Sequence, residues 1–168
     1  MPTLLMFFLL SLGQISLPPQ AESLRPQFSD YKVKDIYRGS PASPIITKEW
    51  RSYRTRIRRG AAHDVEFAGH YTIPRWGCGT GCGAFVIVDS ISGRIYDSMP
   101  AFSALPIRWF DDHPPVEPME FHPDSRLVKF NGCPNETNCG FYDYEMIEGR
   151  GLKLLRKELL PAEFQFHP

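Results

Sequence analysis

The chain lacks a dominant charge: 19 Lys and Arg face 19 Asp and Glu. No whole-molecule field therefore draws it to nucleic acid or to an acidic surface, and any charge argument must be local. No apolar run reaches the roughly 20 residues that a membrane-spanning helix needs. C-x-x-C pairs are missing too, which removes the usual zinc-knuckle and thioredoxin-like signatures. There is no G-x-x-x-x-G-K-[ST] phosphate loop, no internal repeat and no low-complexity tract. No cofactor and no metal are expected from such a sequence.

What is present begins with an apolar N-terminus. Leu4–Leu12 reads LLMFFLLSL, the length of a signal-peptide core. Breakers follow over Gly13–Pro19, and Ala21-Glu22-Ser23 places small residues at the two positions a signal peptidase reads. Residues 1–23 are read as a signal peptide and 24–168 as one domain for the periplasm or the exterior. No Lys or Arg precedes the apolar core, and a buried N-terminal helix is the alternative. Cleavage would remove a single charge, Glu22, leaving 19 basic and 18 acidic residues. No cysteine adjoins the cleavage point, so a lipid-anchored form is not expected, nor is a membrane span after cleavage.

Cysteine usage agrees with export. Cys78, Cys82, Cys133 and Cys139 form an even set, which behind a signal segment predicts two disulfides. Three connectivities are possible. Loop-closure entropy gives each short ring about 2 kcal/mol and a long bridge between the two segments about 4. Proximity during oxidation favours the local pairs Cys78–Cys82 and Cys133–Cys139. The glycines of C-G-T-G-C supply the freedom such a small ring requires.

The 42 % hydrophobic share suits a packed globule, and 16 prolines with 13 glycines favour strands and turns over long helices. A first strand is read at Tyr31–Ile36. One helix is expected over Lys48–Arg59, with Thr47 as cap and Gly60 as stop. Its stripe Trp50, Tyr53 and Ile57 would dock on a sheet, while Arg51, Arg54, Arg56, Arg58 and Arg59 face water or an anionic partner. Phe67–Ile73 alternates like a strand. Ala84–Val88 is a continuous apolar run, the mark of a strand buried on both faces. Ser90–Gly93 makes a hairpin turn into Arg94–Tyr96, and 100–120 is proline-broken loop. A meander follows through Leu127–Phe130, Phe141–Ile147 and Leu152–Leu155. The fold class is α+β with β dominant: a mostly antiparallel sheet of about six strands with one helix packed on a face.

Phe67-Ala-Gly-His-Tyr71 followed by Trp76-Gly-Cys-Gly-Thr-Gly-Cys82 is the least generic stretch. Together with Tyr53-Arg-Thr-Arg56 and the Phe121–Leu127 segment, it resembles a family of small exported proteins of Gram-negative bacteria without an assigned activity. The resemblance covers most of the mature chain and implies export, but no catalytic roles. His70, Tyr71, Arg75 and Trp76 are the candidate binding residues, and no catalytic residue is assigned. Asp111-Asp112-His113 and the His122/Asp124 pair have metal-like chemistry, yet they sit in loops where convergence on one ion is difficult. The expectation is a monomeric, non-catalytic exported protein that binds a protein or a cell-envelope component. The alternative is an envelope hydrolase or thiol enzyme centred on His70, Tyr71 and the Cys78–Cys82 loop, which would need a free thiolate.

Overall fold

Pro74 sets the layout of the molecule. A computed structural model describes residues 25–96, 102–134 and 136–165; the expected signal segment, 1–23, and the expected cleavage point lie outside them. Strand β1 (Tyr71–Thr72) leads through Ile73-Pro74 into β2 (Arg75–Gly79), and β3 (Cys82–Phe85) returns through Val86 into β4 (Ile87–Asp89). The two arms form one long hairpin, with Tyr71 opposite Asp89 at its base and Gly77 opposite Gly83 near its tip. Pro74 has no N–H to donate; its carbonyl accepts the Val86 N–H at 3.2 Å. The ladder is interrupted there, and the hairpin is divided between two sheets.

The base of the hairpin joins β5 (Ile95–Tyr96) in a three-stranded sheet of order β1-β4-β5. The remaining strands are β6 (Phe102–Ser103), β7 (Met119–Phe121), β8 (Leu127–Pro134), β9 (Gly140–Ile147) and β10 (Gly151–Leu159). With the hairpin tip they build a seven-stranded sheet of order β10-β9-β8-β6-β3-β2, in which β7 also pairs with β8. Every strand pairing is antiparallel. The class is α+β with β dominant, but the expected single sheet of about six strands is instead two sheets. The bend at Pro74 splits one hairpin into four strands, and the proline-rich stretch read as loop contains the short β6 and β7.

Side-chain alternation through the bend builds two cores. Phe85 and Ile87 face Phe67, Tyr71, Tyr96, Val128 and Met146. Val86 and Val88 face the opposite way, onto Ile57 and Ala61 of α1 (Arg54–Ala61). The apolar run is buried on both sides, as its composition predicts.

The helix is shorter than expected. Residues 51–53 form a 3-10 turn, and regular helix begins only at Arg54. Thr47 caps nothing; its hydroxyl donates to the Glu49 carboxylate at 2.8 Å. Gly60 lies inside the last turn, where an added Cβ would stand 2.6 Å from Cβ of Pro74. That glycine lets the helix close onto the bend rather than ending it. Of the expected stripe, Ile57 is fully enclosed, Trp50 is half-buried and Tyr53 is exposed. The five arginines are all exposed, as expected. Ile57→Ala should therefore cost about 3 kcal/mol, and Arg54→Ala less than about 0.5 kcal/mol, both read from urea unfolding midpoints.

The expected strand at 31–36 is absent. Phe28–Tyr31 is a 3-10 turn, and only the bridge Lys32–Ser125 has strand character. The segment spends its hydrogen bonds on the 124–126 turn instead. Val33 N–H donates to the Asp124 carbonyl at 2.9 Å, Arg126 N–H to Tyr31 at 2.8 Å, and the Ser125 hydroxyl to Phe28 at 2.9 Å.

Candidate functional site

Phe67-Ala-Gly-His-Tyr71 is a turn, not the strand its alternation suggests. Phe67 and Tyr71 exchange backbone hydrogen bonds, Tyr71 N–H to Phe67 at 2.9 Å and the reverse at 3.1 Å. The three enclosed residues must reverse the chain. Ala68 has φ +46° and Gly69 φ +84°, a conformation that costs an alanine energy and suits a glycine. Gly69 is doubly constrained, because a Cβ would lie 2.8 Å from the Asp35 carbonyl.

This turn places His70 and Tyr71 on the wall of a cavity of about 220 Å³. The other walls come from the 33–35 segment, Arg126, Met146 and Glu148. His70 is half-buried, and its ring centroid lies 4.1 Å from that of Tyr71. Tyr71 is enclosed, and its hydroxyl makes no hydrogen bond of good geometry, although Tyr96 is close enough to oppose its ionisation. Burial above all, then Tyr96, Asp89 and Glu148, push the Tyr71 phenol well above the ordinary tyrosine range. The phenol therefore stays protonated across the physiological range. Arg126 is already engaged, with Glu145 at 3.1 Å and the Lys32 carbonyl at 3.0 Å.

Arg75 and Trp76 sit past the bend and do not line this cavity. As strand neighbours they point to opposite faces. Arg75 pairs with Glu66 at 3.2 Å and lies over the Phe121 ring at 4.9 Å. Glu66 also accepts the Ile73 N–H at 2.7 Å, tying the turn to the bend. Trp76 packs against the helix core, and its ring stacks on Tyr53 at 5.0 Å with planes 23° apart. The four candidate residues thus form two neighbourhoods, His70 with Tyr71 and Arg75 with Trp76. The cavity walls at 33–35, Arg126 and Glu148 carried no sequence signal beyond lying in or near segments already singled out.

The disulfides pair locally, Cys78 with Cys82 and Cys133 with Cys139. The first closes the tip of the hairpin, where residues 77–81 are all exposed and Gly81 adopts φ +68°. Both sulfurs there are in the bridge, so the thiolate that a Cys78 nucleophile would need is not formed while it stands. The second bridge is enclosed with Leu105 and Leu160. The metal-like clusters have other tasks. The His113 ring stacks on Trp109 at 3.5 Å with its Nδ1 2.9 Å from the Trp109 carbonyl, and the His122 ring lies 4.2 Å from Phe28. Among the described residues no group of three or more His, Cys, Asp or Glu side chains could hold a metal ion, and no helix is long and apolar enough to cross a membrane. The chain matches no protein-family model, and no curated protein or solved structure is significantly similar to it.

Proposed function

We propose that this is an exported, non-catalytic protein that binds a protein or a cell-envelope component through the cystine-closed tip of the β2–β3 hairpin. The observation that carries this reading is the exposed ring at residues 77–81, closed by the Cys78–Cys82 bridge. A loop held to one shape before binding has little ordering entropy left to lose. Trp76 stands at its root, braced by Tyr53, and aromatic side chains of this kind anchor interfaces. The alternative thiol-enzyme reading has less support, since the cysteine it draws on is held in a bridge.

A photo-cross-linking residue at Thr80, introduced in the native organism, tests the proposal. The expected result is one discrete adduct that disappears when Cys78 and Cys82 are both replaced by alanine. The same probe at exposed Glu163 serves as control. No adduct at Thr80, or the same adducts at both positions, would overturn the reading.

A further inference from the structure

We propose that helix α1 and the adjoining 42–45 and 90–93 segments form a docking surface for an anionic phospholipid bilayer. The inference goes beyond the hairpin reading and does not need the bridged ring. Its first support is the density of unpaired arginines on one short segment. Arg25, Arg75, Arg126 and Arg156 each pair with a carboxylate. Arg51, Arg54, Arg56, Arg58 and Arg59 are exposed, and none forms an ion pair among the described residues. Arg38, Arg94, Arg108 and Arg150 are also exposed without an ion pair among the described residues, but they stand singly along the chain. The nearest acids along the chain are Glu49, which accepts the Thr47 hydroxyl, and Asp64.

These charges act against the element that carries them. Arg54 and Arg58 are four residues apart on the helix, and Arg56 and Arg59 three, spacings at which like charges repel. Arg54 and Arg56 stand in the first turn, where the dipole disfavours cations. No side-chain cap compensates, and the eight-residue helix is held by the packing of Ile57 and Ala61. Solvation alone would be served as well by mixed Glu and Lys, which would also stabilise the helix. A cationic face that weakens its own scaffold gains its counter-charge from a bound partner, and guanidinium forks match phosphate oxygens.

Apolar exposure on segments that adjoin the core under α1 selects the kind of polyanion. Ile45 is 58 % exposed, Ile91 55 % and Tyr53 39 %. Ala42 N–H donates to Ser90 and Ile45 N–H to Gly93, at 2.8 and 2.7 Å, which zips the two segments together. Ile46 and Trp50, next along the chain, pack on the same core as α1. A soluble polyanion offers nothing to cover Ile45 and Ile91, whereas a bilayer interface buries apolar side chains beneath its phosphates. Surface attraction adds with each basic residue near anionic lipid.

Co-sedimentation of the full chain with vesicles tests the assignment. Binding is expected to mixed phosphatidylglycerol–phosphatidylcholine vesicles and not to phosphatidylcholine alone, and it should fall with added salt. Arg54→Glu with Arg58→Glu should weaken binding by about tenfold or more, with unchanged circular dichroism. If that charge reversal fails to fold, Arg54→Gln with Arg58→Gln takes its place. Ile45→Ser with Ile91→Ser should give a smaller but measurable loss. No binding by the wild type, or equal binding to both vesicle types, overturns the proposal. So does inorganic polyphosphate binding as tightly as the vesicles with no effect of the isoleucine changes, which would mark a soluble-polyanion site. The Thr80 cross-link is independent of all these outcomes, so either reading can fail alone.

Discussion

Replacing Cys133 and Cys139 together by alanine should cost about 4 kcal/mol, against about 2 kcal/mol for the same change at Cys78 and Cys82. The two rings are similar in size, so loop closure contributes nearly equally to both. Burial separates them. Cys133 and Cys139 are fully enclosed, packed with Leu105 and Leu160 and flanked by Trp109, Phe141 and Phe164. Losing two sulfurs there opens a void whose lining loses its contacts. The bridge also positions the Cys139 backbone for the Gln165 side chain. Cys139 N–H donates to Oε1 at 2.7 Å, while Nε2 donates to the Cys139 carbonyl at 3.0 Å and to Leu160 at 2.7 Å. The amide thus behaves like a strand neighbour, and displacing Cys139 would release it. Urea unfolding of the two double variants decides the matter, and equal losses would mean that burial adds nothing to the second bridge. Access gives a companion readout: mild reductant on the native protein should expose Cys78 and Cys82 to alkylation before Cys133 and Cys139.

The sequence carried those pairings because they are local, needing only a short ring and the proximity of its ends. The apolar run Ala84–Val88 was readable for the same reason, although Ala84 is only partly buried and the run is divided between β3 and β4; so was the Gly93 turn, where φ is +74°. Other features depend on contacts far along the chain. Phe67, Gly69, Tyr71 and Ile73 are all buried, but so are Ala68 and Thr72, so burial does not follow the alternation; residues 67–70 turn, and strand begins only at Tyr71. The exchange of bonds between Phe67 and Tyr71 leaves no periodicity of its own. Strands β6 and β7 are two and three residues long, too short to show a pattern, and exist because the β8 edge is there to receive them. At the site, the nearness of His70 to Tyr71 was legible, whereas the opposite walls come from residues 33–35, Arg126 and Glu148. No spacing rule joins positions so far apart.

Asp143 is the sharpest case of a long-range feature, and it yields the other large effect. On β9, Tyr142, Tyr144 and Met146 turn to one face, so Asp143 falls on the face that alternation would assign to solvent. Instead it is fully enclosed, with Arg25 and Arg156 each 3.6 Å from one of its oxygens. Arg156 is its register partner on β10, beside the irregularity at Leu155, and Arg25 arrives from the N-terminal segment, its guanidinium 5.3 Å from the centre of the Phe141 ring. Neither carboxylate oxygen has a hydrogen bond of normal geometry, so the two cations are its main compensation. Arg25→Ala with Arg156→Ala should therefore cost about 4 kcal/mol, because it strands a charge that cannot reach water. Asp143→Leu should cost clearly less. The arginine side chains remain 29 % and 27 % exposed and can turn their heads outward while their stems stay packed. Combining all three changes separates charge from packing. If the stranded carboxylate is the cause, the triple variant should regain most of the stability lost in the double. If it remains as unstable as the double, the loss lies in the stems of Arg25 and Arg156 and not in the ion pairs.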